Sequence, residues 1–174
     1  MIARYRPLAF TLVLLLGIAG GGVRAASGDE DGFHTQLTMA RMQAYFNALM
    51  NLGLAACKDP KLSATMDKLS DASTPTPTII AGYESSPAAK QAFKAAGLTT
   101  EQFVYIGNAY LSASFGLAAQ QQLQGKPLVD KNHVFDAANV EFVKAHGKEL
   151  EAMLNKMGKD KEKEAAAAGC KDND

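Results

Sequence analysis

From residue 34 to Lys58 the apolar positions advance by three and four. Met39, Met42, Phe46, Leu49 and Gly53 form one stripe, with Leu37, Tyr45, Ala48, Leu52 and Ala55 on the next. That spacing is the helical period, and two adjoining stripes predict a long helix buried on more than one side. Asp59-Pro60 restarts the chain, because an Asp cap followed by Pro at the first helical position is a start signal, and Leu62, Met66 and Leu69 give a short second helix. Residues 72–86, ASTPTPTIIAGYESS, hold two prolines at alternate positions with no helical period, which predicts a loop or extended segment. Ser86-Pro87 repeats the cap-and-proline signal ahead of a short helix that stops at Gly97. Thr99 with Gln102 makes a capping-box pattern opening a long helix to about Gln124, with Gly125 as its stop and Pro127 beyond. A last long helix is expected from about Phe135 to Met157, ending at Gly158, with Val143, His146, Leu150, Met153 and Met157 on one stripe. From about residue 159 the chain is charged and Ala-rich without an apolar stripe, which predicts a surface tail.

Three long and two to three short helices without a convincing strand predict an all-α domain, an antiparallel helical bundle spanning residues 26–174. Composition agrees: 47% of residues are hydrophobic but only 7% aromatic, with no Trp, so Ala, Leu, Met and Gly must fill the interior.

The amino end changes the picture. Arg4 and Arg6 precede an apolar stretch from Leu8 to Ile18, followed by small residues ending Val23-Arg24-Ala25, which is the layout of a secretory signal peptide over residues 1–25. The apolar stretch is too short for a comfortable membrane span, which takes roughly 20 residues, so no stable span is expected. Residues 26–33, ASGDEDGF, follow as a mobile leader. The protein is thus expected to be periplasmic or secreted. Without Arg4, Arg6 and Arg24 the mature chain carries 15 basic against 18 acidic residues, a net charge of −3, and its only arginine is Arg41. Nucleic-acid binding needs clustered basic residues to displace counterions, so that class is excluded.

Export makes the two cysteines, Cys57 and Cys170, readable as a disulfide, since an even count in an oxidising compartment leaves no thiol over. The bridge closes most of the mature chain into one loop, which the chain-entropy treatment values at about 4.8 kcal/mol. No C-x-x-C spacing supports thiol exchange chemistry.

Between Phe103, Tyr105, Ile106, Tyr110, Leu111 and Phe115 lie Gly107, Ala109, Ser112, Ala113, Ser114 and Gly116, leaving little bulk along that helix. Small residues there either let a neighbouring helix approach closely or leave a cavity. Such a cavity, walled by Met42, Phe46, Phe103, Gly107, Tyr110 and Phe115, would suit an apolar ligand, although dense packing is the rule. The three histidines, His34, His133 and His146, have no partner four residues away, so neither a metal pair nor a haem motif is formed, and no metal or cofactor is expected. His146, with Glu149 three residues on, is expected to be half-buried and satisfied by one hydrogen bond. Arg41 is expected to make an ordinary surface contact. There is no G-x-S-x-G elbow and no phosphate-binding glycine loop, and the carboxylate pairs Asp67/Asp71 and Glu141/Glu149 fall on solvated faces. Enzymatic activity is therefore not expected.

The run SPAAKQAFKAAGLTTEQFVYIGNAYLSA, a short Ala-rich helix, a Gly-Leu-Thr turn and a longer helix with Phe and Tyr, resembles small exported helical proteins of proteobacteria. The resemblance implies an export-associated helical domain and carries over no site residue. The function expected is that of a non-catalytic exported helical protein, acting on another macromolecule or as a structural envelope module. Ile79, Ile80 and Tyr83 of the irregular stretch are its first contact candidates. The alternative is a carrier of a small apolar or amphipathic molecule in the pocket beside Gly107, Tyr110 and Phe115, with a metal or haem bundle as the weakest reading.

Overall fold

The computed structural model describes residues 32–71, 73–123 and 135–170. Among these residues there are six helices and no strand: α1 (Met39–Lys58), α2 (Pro60–Leu69), α3 (Thr76–Glu84), α4 (Pro87–Ala95), α5 (Thr100–Gln122) and α6 (Ala137–Ala167). The expected signal peptide, the leader as far as residue 31, Gly125, Pro127 and His133 lie outside the described residues.

Local chemistry sets most helix starts. A side-chain oxygen takes up a free first-turn N–H at each of five helices. Thr38 accepts from Arg41 N, Asp59 from Lys61 N and Leu62 N, Ser86 from Ala89 N, and Asp136 from Asn139 N. Thr99 and Gln102 complete the capping box, each side chain accepting from the other's backbone N–H at 3.1 and 3.0 Å. Two helices end on glycine in the left-handed region, Gly97 at φ +78° and Gly169 at φ +70°. Each forms a Schellman closure, with Leu98 N donating to Phe93 O and Cys170 N to Ala165 O.

Four expectations are corrected. The stretch 72–86, expected as a loop or extended segment, instead carries α3 over Thr76–Glu84. Its two prolines, Pro75 and Pro77, sit at the N-cap and in the first turn, where a helix needs no donor. The first helix starts at Met39 rather than His34. Residues 32–38 form a packed strap, in which Gly32, expected in a mobile leader, is buried against the ring of Tyr105 at φ +75°. Finally, the last helix does not stop at Gly158 but runs 31 residues to Ala167, about 46 Å at 1.5 Å per residue. A glycine inside a helix costs only about 1 kcal/mol, and the Lys156–Asp160 pair and the following alanines carry the helix past it.

α6 packs on α1 and α5, while α2, α3 and α4 gather on the remaining sides of α1 and α5. Asn139 at the start of α6 meets residues 35 and 37 ahead of α1, and Cys170 past the end of α6 meets Cys57 at the end of α1. α1 and α6 therefore share a direction. Gly116, late in α5, meets Val140, early in α6, so α5 runs antiparallel to both.

The interior has two clusters. The first, between α1, α5 and α6, holds Met42, Phe46, Ile106, Ala109, Ala113, Val140, Val143 and Leu150, with Leu37 from the strap. The second, under α2, α3 and α4, holds Ala48, Leu52, Leu62, Ala89, Ala92, Phe93, Phe103 and Val104. Tyr45, Leu49 and Leu98 touch both.

Candidate functional site

Of the six residues expected to wall a pocket, the structure brings together three. Met42 and Phe46 are buried in the first core, and Tyr110 meets Phe46 edge-on at 6.0 Å. Phe103 belongs to the second core, stacked on Phe93 at 4.3 Å and on Tyr45 at 5.2 Å. Phe115 points outward and is 47% exposed. The space beside Gly107 is filled: a Cβ there would lie 3.1 Å from the ring edge and hydroxyl of Tyr45. The small residues of α5 thus serve close approach. Val140 fits against Gly116 with 2.9 Å between its Cγ2 and the position of a Cβ.

Tyr45 is the residue that sequence reasoning left out. It lies on the second stripe of α1, and the available signal was the glycine itself, since a missing side chain on one helix calls for a large one opposite. Burial pushes the Tyr45 phenol far above its ordinary value, with Tyr83 and Tyr110 adding to the rise. Burial also raises Tyr83, and raises Tyr110 against a smaller lowering by Ser114. All three remain neutral hydroxyls at physiological pH, so none serves as a base there.

Ile79, Ile80 and Tyr83, the contact candidates of the expected loop, are half-buried on α3 and packed against the second core. Tyr83 meets Phe93 at 5.4 Å and Phe103 at 5.9 Å, both edge-on. α3 is tied to α5 where the Asn108 amide donates to the buried Thr76 hydroxyl at 3.1 Å.

Two features are left for recognition. Beyond Asn108, the same side of α5 carries Leu111 and Phe115, one turn apart and 44% and 47% exposed. These are the exposed large apolar side chains among the described residues. The other is a groove of about 730 Å³ at the disulfide end, between α2 and the last turns of α6, with α1 as its floor. Gly53, Leu54 and Ala56 line the floor, Met66 and Asp67 one wall, and Lys161 the other. Cys57 and Cys170, bonded with their Cα atoms 5.8 Å apart, close its end.

The remaining polar candidates make local contacts. His146 Nδ1 lies 2.5 Å from Glu149 Oε2, with its half-buried ring 4.7 Å from that of Phe142. His34 meets Asp136 at 3.4 Å, and the Arg41 guanidinium donates to the Gln36 carbonyl. Glu141 pairs with Lys144, while Asp71 turns back on Ser73, whose hydroxyl and N–H hold its carboxyl below the usual carboxylate range. Among the described residues no three His, Cys, Asp or Glu side chains converge as a metal site would require, and no helix is long and apolar enough to cross a membrane. Compared with known proteins, the chain matches no protein-family model, no curated protein and no solved structure.

Proposed function

We propose that this is an exported, non-catalytic helical protein that acts by contact with another macromolecule. The observation that carries the reading is the Leu111–Phe115 pair. Two large apolar side chains one turn apart stand in solvent on a helix whose other sides are packed, and burying each is worth about 1.5–3 kcal/mol. The amino-terminal layout of residues 1–25 and the disulfide support export.

The test is site-specific photocrosslinking in the source cell, with the photoreactive residue at position 115 or, as a control, at position 141 on the exposed side of α6. The expected result is a discrete adduct from position 115 that disappears when Leu111→Ser is added, with an unchanged helical circular dichroism spectrum. Equal labelling from both positions overturns the reading.

The groove favours a second reading, a carrier of a small apolar or amphipathic molecule. Its place is beside Leu54 and Met66 rather than beside Gly107, where Tyr45 stands. Native mass spectrometry of protein purified from its own host is expected, on this reading, to show a bound mass that Met66→Trp removes; an unadorned polypeptide mass rejects it.

A further inference from the structure

The last three turns of α6 are attached differently from the rest of the helix. Met153, Leu154 and Met157 are its final side chains packed against the first core. Beyond them, none of residues 158–170 is buried. The Lys161 side chain crosses Gly53, with 2.9 Å from its Cε to the position of a Cβ there, and Ala165 lines the groove. The covalent hold comes at the far end, where Cys170 follows the Gly169 closure and bonds to Cys57. Gly158, at the root of this arm, has nothing within 4 Å of where a Cβ would be, so it brings the arm no side-chain packing of its own. A helical segment of about a dozen residues is marginal in water on its own, and an internal glycine weakens it further. The bond is also reachable: Cys57 is exposed, Cys170 is half-buried, and both border the open groove.

From this placement we propose that the Cys57–Cys170 disulfide is a redox latch on the terminal arm of α6. Its reduction by a dithiol, of the kind carried by thiol–disulfide oxidoreductases, frees residues 158–170 and uncovers the α1 floor at Gly53, Leu54 and Ala56 together with Met66 of α2. The inference goes beyond the contact reading above and involves a different surface. The attacking thiolate bonds to Sγ of Cys57, the more exposed residue of the two, and the Cys57–Cys170 bond breaks, with Cys170 Sγ leaving as a thiolate that takes up a proton. The second thiol of the reductant then attacks the mixed disulfide and releases Cys57. The protein's disulfide has gained two electrons and two protons, and the dithiol has become a disulfide. A staple whose task was to hold the core helices would sit beside Leu150 or Met153; this one sits about five turns farther along the chain, where it governs the arm.

The test is hydrogen exchange followed by mass spectrometry on the mature chain, oxidised and then reduced with dithiothreitol, with reduction verified by alkylation mass. After reduction, amides of residues 158–170 are expected to exchange at least about tenfold faster and close to the rate of an unstructured peptide, while those of residues 42–52 and 103–116 lose some of their protection with the loop closure but remain clearly protected. A Cys57→Ser, Cys170→Ser double variant is expected to show the same pattern without reductant. Unchanged protection of the arm, complete loss of protection in both cores together with the arm, or resistance to dithiothreitol in the folded protein each overturns the latch. A limiting amount of glutathione is expected to leave its mixed disulfide on Cys57; an adduct on Cys170 instead overturns the order of attack.

Discussion

Around Phe93 the interior is built of a run of rings, and beneath α6 it is built of aliphatic and small side chains around one buried ring, Phe46. In the second core Phe93, Phe103 and Tyr45 stack in succession at 4.3 and 5.2 Å, and Tyr83 meets both Phe93 and Phe103 edge-on at 5.4 and 5.9 Å. Such pairs add about 0.5–1.5 kcal/mol each beyond the area they bury. One ring therefore anchors each of two short helices, the fully buried Phe93 for α4 and the half-buried Tyr83 for α3, although each helix has only nine residues. α6, with 31 residues, buries only Val140, Val143 and Leu150 as apolar side chains, set against the small Ala109, Ala113 and Gly116 of α5. Its fixings are at the ends: the buried Asn139 amide donates to Thr35 O and accepts from Leu37 N at one, and the disulfide closes the other. Where packing is dense in rings, short helices suffice; where it rests on close approach, the long helix is tied at its start, and the disulfide fastens the arm that runs beyond its last core contact, Met157.

The largest break in this comparison should come from the ring core. Phe93→Ala removes the fully buried centre of the stack and is expected to cost about 3–5 kcal/mol, read as a shift of the urea midpoint at unchanged slope. Because Tyr45, Leu49 and Leu98 serve both cores, a single cooperative transition is expected, and two separated transitions would break the comparison into independent halves. Asn139→Ala tests the tied end. It leaves the Leu37 N–H and the Thr35 carbonyl without their partner and is expected to cost about 2–3 kcal/mol, with faster amide exchange in residues 35–42 and none in α4. A pair of glycine substitutions gives the smallest and sharpest test. Gly116→Ala drives a methyl into Val140 and is expected to destabilise by about 1–2 kcal/mol in thermal unfolding. Gly147→Ala, which meets nothing within 4 Å on the same long helix, is expected to stabilise by about 0.5–1 kcal/mol.

The caps made much of this architecture legible. Asp59-Pro60, Ser86-Pro87 and Thr99 with Gln102 mark helix starts that stand where those residues predict them, because capping is a contact between near neighbours and needs no tertiary partner. The helical class and the Cys57–Cys170 bond were legible for similar reasons, one from periodicity and one from an even cysteine count. What depended on distant partners was not. α3 carries turn-forming prolines, and it is secured by Asn108 reaching Thr76 and by Tyr83 reaching Phe93. Leu37 fits the α1 stripe by spacing, yet it enters the core from an extended strap that the Asn139 amide holds. At the candidate pocket the glycine was visible in the sequence and the ring that fills its space was not, since nothing in α5 says which side chain of α1 arrives opposite Gly107.

The order of the two cores along the chain has a consequence for synthesis. As the polypeptide leaves the ribosome amino end first, every buried side chain of the ring core has emerged once Val104 is out, while the other core still waits for Val140, Val143 and Leu150. The nascent protein therefore passes through a stage in which the ring core has all of its residues while the trough along α1 and α5 still lacks α6. Throughout that stage Cys57 is an unpaired thiol, because its partner Cys170 lies 113 residues further along the chain.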